Sequence, residues 1–191
     1  MNIEPDRIQE FLSRHRRKEI NQPGLHRAGV LILLFKKEGE LNVLLTKRSS
    51  EVEHHKGQVS FPGGSVDADD KDIVATAVRE TEEEIGIRSS AIRILGLFDD
   101  VWTPSGFIIT PVVGYTPDPP EVHISTGEVD EILEVPLAFF MDMKNERVKQ
   151  LVREGKPLDV YFYTYREIQI WGATAWMMRS FLHALRGETE R

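Results

Sequence analysis

The clearest periodicity in the chain lies between residues 73 and 87. Val74, Val78, Thr81 and Ile85 follow the spacing of a buried helical stripe, with charged side chains between them. Gly86 follows as the C′ residue that ends a helix, and Asp67, Asp69 and Asp70 stand upstream as candidate N-caps. On this helix Glu80, Glu83 and Glu84 sit at i, i+3 and i+4, so they project as neighbours on the side opposite the stripe. Before it, Gln58 to Phe61 alternates like a short strand. Pro62 then stops the ladder, and Gly63 and Gly64 allow positive φ or a close approach to the backbone.

Elsewhere the pattern is strand-like. Ala28 to Lys36 and Leu41 to Arg48 are β-rich runs around Lys37-Glu38-Gly39-Glu40, which predicts a hairpin. Further strands are expected near Ile92 to Phe98, Phe107 to Tyr115, Glu131 to Val135, Pro157 to Thr164 and Glu167 to Trp171. A helix starts at Pro136 and reaches Met141, and a closing helix covers Ala173 to Leu185. Ile3 to Ile20 reads as an N-terminal helix with Ile8, Phe11 and Leu12 on one side. Its basic run, Arg14 to Lys18, is read as a solvated C-terminal end. Asn21 to Gly24 is a connector. Helices bracketing a mixed β-sheet place the chain in the α/β class, as an α/β/α sandwich with an extra N-terminal helix. The division is 1–24 for that helix and connector and 25–187 for the main domain.

The bulk properties narrow the function. The 191 residues suffice for one domain with a substantial core. A net charge of −7 argues against nucleic-acid binding through a basic surface. The absence of cysteine excludes disulfides and thiolate metal sites and fits a reducing, cytoplasmic location. The N-terminus has no apolar signal-like region, and the longest apolar run, Val30 to Phe35, is too short to span a bilayer, so no membrane partner is expected. Assembly as a homodimer stays open.

Three clustered carboxylates destabilise a helix unless a positive charge sits among them. A hard divalent cation, Mg²⁺ or Mn²⁺, suits oxygen ligands and bridges to substrate phosphates. The competing reading is a solvated acidic face. Such faces usually mix signs, whereas here Glu84 follows Glu80 by four, and Arg79 can pair with Glu83 but neutralises only one charge. The helix alone leaves both readings open.

Together, Gly64 to Ile87 resembles the Nudix box: Arg79-Glu80, an apolar position, any residue, Glu83-Glu84, any residue, Gly86 and Ile87. Thr81 fills the usually aliphatic position. The loop between Gly64 and Arg79 is one residue longer than the common pattern, with Asp70 nearest to the usual upstream acid. Leu44-Leu45-Thr46-Lys47-Arg48-Ser49, Gly57 and Phe61-Pro62-Gly63-Gly64 resemble the signature of the coenzyme A pyrophosphatase branch of that family, except that Glu53 stands where the signature has Arg. Asp99 to Phe107 and Ile170 to Ala175 also look like this branch, so the likeness covers about residues 25 to 185.

The resemblance implies a Nudix fold and Mg²⁺- or Mn²⁺-dependent cleavage of coenzyme A or acyl-CoA. It implies Glu80, Glu83, Glu84 and the Gly64 carbonyl as metal ligands and Arg79 as the residue that orients one of them. A later loop often supplies a base, for which Glu128 is the candidate ahead of Glu131 and Glu134. Lys47, Arg48 and Lys56 are candidate phosphate contacts, and Trp102 or Phe107 a stacking surface for adenine. His54, His55 and His123 lack metal-ligand spacing and are read as surface or packing residues. The alternatives are a Nudix hydrolase of ADP-ribose or a dinucleotide, for which Glu53 speaks, and a non-catalytic nucleotide-binding module, against which the retained glutamates speak.

Overall fold

The fold is organised around a hairpin whose first strand carries an unbroken apolar run at residues 28–35. The computed structural model describes residues 3–49, 57–124, 127–153 and 155–187. In it, β1 (His26–Lys37) and β2 (Glu40–Arg48) pair antiparallel across a two-residue turn. Glu38 and Gly39 both take positive φ there, 53° and 82°, as a type I′ turn requires. Residues 28–35 of β1 are all buried because both faces of the strand are covered.

Further strands extend this pair into a mixed sheet: β3 (Val59–Ser60), β4 (Gly63–Ser65), β5 (Arg93–Leu97), β6 (Val101–Trp102), β7 (Phe107–Thr116) and β8 (Val129–Pro136). The main order is β3-β2-β1-β7-β5, with β4 on β1, β6 on β7 and β8 on β2; only β1 and β7 run parallel within it, among the described residues. α2 (Ile73–Ile85) covers the face that carries Leu31, Leu33, Phe35 and Leu44. α1 (Pro5–Arg14), α3 (Leu137–Met141) and α4 (Ala173–Leu185) cover the opposite face, with Ile32, Leu34, Val43 and Leu45. This is the predicted α/β/α sandwich. On the α4 side lies a second, antiparallel sheet of β9 (Glu146–Arg153), β10 (Lys156–Tyr165) and β11 (Ile168–Trp171); its Tyr163 and Ile170 join the same core.

Two expectations need correction. The N-terminal helix ends at Arg14, not near Ile20, and the basic run is not a solvated helix end. It continues as extended chain pinned by Asp99 and Asp100. His15 Nε2 lies 2.7 Å from Asp99 Oδ1, and the Lys18 N–H donates to the same oxygen at 2.8 Å. The Asp100 side chain has no exposed surface; it accepts from Arg17 at 2.8 Å, Thr110 Oγ1 at 2.7 Å, the Ile20 N–H at 3.0 Å and Arg27 at 3.3 Å. Burial favours its neutral form, but these donors outweigh burial and hold the carboxyl below its usual range. Asp100→Ala should therefore cost about 3 kcal/mol, since it strands two partly buried guanidiniums; denaturant unfolding measures this.

The second correction is β9, which alternation did not reveal. Its Val148, Leu151 and Val152 are at least half exposed, so no buried face imposes a period of two. The strand is anchored at its start, where Glu146 accepts from Tyr163 Oη at 3.2 Å and Arg179 Nε at 3.1 Å.

Candidate active site

The glutamate helix begins at Asp72, whose Oδ1 accepts from the Ala75 N–H at 2.8 Å; Asp72 is the N-cap, in place of Asp67, Asp69 or Asp70. Gly86 ends it in the left-handed conformation, φ 73°, as expected. The helix is rotated from the predicted stripe. Thr76, Ala77, Thr81, Glu84 and Ile85 are buried, while Val74 and Val78 lie half-buried on the flank. Glu84 therefore does not project opposite the buried side; it is only 7% exposed, with Glu80 half-buried and Glu83 exposed.

The reason lies in β4. Gly63 has φ 146°, and a Cβ there would sit 2.3 Å from the Gly29 carbonyl oxygen, so only glycine fits. A Cβ on Gly64 would sit 2.4 Å from the Glu80 carboxyl group. The absent side chain of Gly64 leaves space for the Glu80 carboxylate, while that of Gly63 lets β4 lie close against the backbone of β1. The Gly63 N–H donates to Glu84 Oε2 at 3.3 Å. Gly64→Ala should keep the fold, since the Glu80 side chain can swing away. It should also weaken Mn²⁺ binding about tenfold, as calorimetry would show.

Arg79 is the hub of the site. Its Nε and Nη2 donate to the two oxygens of Asp70, each at 2.9 Å, and Nη2 also reaches the Ser65 carbonyl at 3.2 Å. Its Nη1 donates to Glu80 at 2.9 Å and Glu83 at 3.1 Å. Asp70 is held in turn by the Asp67 N–H and the Thr76 hydroxyl, both at 2.9 Å. The longer loop thus still delivers an acid to Arg79. The paired guanidinium holds the Asp70 carboxyl well below the usual carboxylate range, and Asp70 raises Arg79 further.

Glu128 and Arg48 approach from the ends of β8 and β2. Arg48 Nη2 lies 3.7 Å from Glu128 Oε2, and both groups act electrostatically on Glu84. Burial pushes the Glu84 carboxyl up to about 7, with Glu80 and Glu128 adding to the rise and Gly63 and Arg48 opposing it. Burial also raises Glu80, partly offset by Arg79. Glu131 and Glu134 are engaged elsewhere, with Lys47 and Lys37 respectively.

Lys47 lies apart. By strand alternation Lys47 faces Glu131, 3.1 Å away, on the side of the sheet opposite Arg48 and α2. Trp102, 50% exposed, pairs with Ile108, whereas Phe107 pairs and packs with His26, so the two aromatics point to opposite faces and form no clamp. His123 is exposed, and its backbone N–H accommodates the helix end by donating to the Ile85 carbonyl at 2.9 Å. Lys56, Glu53, His54 and His55 lie outside the described residues.

Among the described residues no three acidic or histidine side chains converge as a ready metal cage. Mg²⁺ rarely uses such cages; it keeps waters and takes one or two carboxylates plus phosphate oxygens. The donor set fits that habit. Glu84 is a buried carboxylate with weak compensation, and five acids (Asp70, Glu80, Glu83, Glu84, Glu128) face two guanidiniums.

The NUDIX domain profile matches residues 25–154. An uncharacterized Nudix hydrolase, NudL, of Photorhabdus laumondii is 38% identical over 158 residues, covering 83% of each chain. Its Escherichia fergusonii counterpart is 35% identical over 175 residues, covering 90% of this chain and 91% of its own. The fold is similar to a Caenorhabditis elegans Ap4A hydrolase solved as a binary complex, with TM-score 0.55 and 18% identity over 85% of this chain and 99% of that one. It is also similar to RenU of Mycobacterium smegmatis, with TM-score 0.52 and 23% identity over 61% and 74% of the two chains. The chain belongs to the Nudix hydrolase family. That family acts on small nucleotide-derived molecules and generally uses divalent metals. Among the described residues, no helix is long and apolar enough to cross a membrane.

Proposed function

We propose that this Nudix hydrolase cleaves the diphosphate of coenzyme A and its thioesters, giving 3′,5′-ADP and 4′-phosphopantetheine. The reading is supported above all by the meeting of two separate segments. Arg48, from the coenzyme A-type signature, acts on Glu84 of the Nudix box, and Phe61-Pro62-Gly63-Gly64 of the same signature runs beneath Glu80 and Glu84. The functional unit in this reading spans residues 25–187.

When bound, Mg²⁺ or Mn²⁺ neutralises the diphosphate and lowers the pKa of a water. Glu80, Glu83, Glu84 and the Gly64 carbonyl would hold it. Arg79 keeps Glu80 and Glu83 in place through its Nη1 and is itself fixed by Asp70; always protonated, it is no base. Glu128 takes the proton of the attacking water on a carboxylate oxygen, whereas Glu131 and Glu134 are engaged elsewhere, by Lys47 and Lys37. The Arg48 guanidinium, at the lip beside Glu128, suits the phosphate oxygens. Trp102 offers its exposed ring to adenine.

A second reading, with ADP-ribose or a dinucleotide as substrate, rests on Glu53, a charge reversal within the signature. A hydrolysis panel of coenzyme A, dephospho-coenzyme A, ADP-ribose and diadenosine polyphosphates with Mn²⁺ separates the two. Coenzyme A should show the highest kcat/KM. A tenfold preference for ADP-ribose, about 1.4 kcal/mol in transition-state binding, would favour the second reading.

A further inference from the structure

Among the described residues, the Arg48 guanidinium is only loosely held. It meets Glu128 at 3.7 Å, beyond a good charge-assisted hydrogen bond, and its Nε is buried with no hydrogen-bond partner among the described residues. Arg79, by contrast, donates five hydrogen bonds and is committed to Asp70, Glu80 and Glu83. The Arg48 backbone is firmly placed: its N–H donates to the Gln58 carbonyl at 2.9 Å, its carbonyl accepts from Gly57 at 3.1 Å, and the next N–H, of Ser49, donates to the Glu128 carbonyl at 2.7 Å. A fixed backbone thus carries a loosely bound guanidinium beside Glu128, close enough to act electrostatically on Glu84. A divalent cation drawn to the same carboxylates would be repelled by that guanidinium.

We propose that Arg48 is a built-in counter-ion of the carboxylate site, which pairs with Glu128 and offsets the charge of Glu84 in the metal-free protein and is released when a divalent cation binds. Once released, its planar fork is directed at the diphosphate oxygens of the substrate. The proposal rests on the reading of Glu80, Glu83 and Glu84 as metal ligands, and not on which nucleotide is cleaved.

Such a residue opposes the metal and assists the substrate, so removing it has effects of opposite sign. Mn²⁺ titrated into chelator-stripped Arg48→Gln, followed by calorimetry, should bind at least threefold more tightly than to the wild type. The metal-free variant should melt a few degrees lower than the metal-free wild type, and saturating Mn²⁺ should close that gap. With metal saturating, the KM for the nucleotide substrate should rise about tenfold or more. Unchanged or weaker Mn²⁺ binding by the folded variant overturns the proposal, as does a melting gap that Mn²⁺ leaves untouched, the mark of a purely structural arginine. Should Arg48→Gln fail to fold, Arg48→Lys retains the charge without the fork. It should bind Mn²⁺ within about twofold of the wild type, and clearly tighter binding overturns the proposal. A wild type that binds no Mn²⁺ at all refutes the metal reading itself, whichever way Arg48 behaves.

Discussion

Glu84→Gln is expected to lower turnover by at least about two orders of magnitude in a protein that melts no lower than the wild type. The Glu84 carboxylate is buried beside Gly63 and faces Glu80 and Glu128, so as a charge it strains the metal-free fold. An amide of the same shape removes the charge and with it a proposed metal ligand. The pH dependence has a definite sign. Burial raises this carboxyl to about 7 from an ordinary 4.5, so the metal-free protein holds more protons folded than unfolded in that interval. Its contribution is fully present below the lower value and lost as pH rises through the upper one. Between pH 5 and 8, chelator-treated wild type should lose stability that Glu84→Gln retains, by up to about 2–3 kcal/mol. Parallel pH profiles for the two proteins in denaturant melts would mean that Glu84 is not the strained group.

Ala77→Asp should leave the domain unfolded or about 4 kcal/mol or more less stable. Ala77 has no exposed surface and packs in the layer of Leu31, Leu33 and Leu44 beneath α2. Its backbone nitrogen lies 3.3 Å from where a Gly29 Cβ would be, so there is no slack to admit a carboxylate or its water. Val78→Asp, on the half-buried flank, should cost clearly less. Glu82→Ala should be near neutral, since among the described residues that exposed side chain accepts only from the Ser89 N–H, at 3.3 Å. Chemical denaturation of the three variants tests the helix orientation; equal damage from Val78→Asp and Ala77→Asp would contradict it.

Much of this architecture was legible where local chemistry is decisive. The Glu38-Gly39 turn, the Gly86 stop and the closing helix at Ala173 to Leu185 occur where turn residues and apolar spacing place them. The orientation of α2 was not legible. Its stripe, counted from Val74 and Val78, ignores that Gly64 makes room for Glu80 and that the Gly63 N–H donates to Glu84 on the buried side, facts of strand pairing that sequence spacing does not carry. The basic run from Arg14 to Lys18 was misread for the same reason: its partners Asp99 and Asp100 lie more than eighty positions away. In the candidate site, the box residues and Asp70 could be named from spacing, but the nearness of Arg48 to Glu128 and the separation of Lys47 from both depend on strand alternation and on the bulge in β8 between the partners of Lys47 and Arg48.

The central claim is metal-dependent cleavage of the coenzyme A diphosphate, and product analysis tests it most directly. Chelator-stripped protein incubated with coenzyme A should release nothing. Addition of Mg²⁺ or Mn²⁺ should then yield 3′,5′-ADP and 4′-phosphopantetheine in equal amounts, separable by chromatography. Release of those products without metal, or release of inorganic phosphate with the diphosphate intact, would contradict the account.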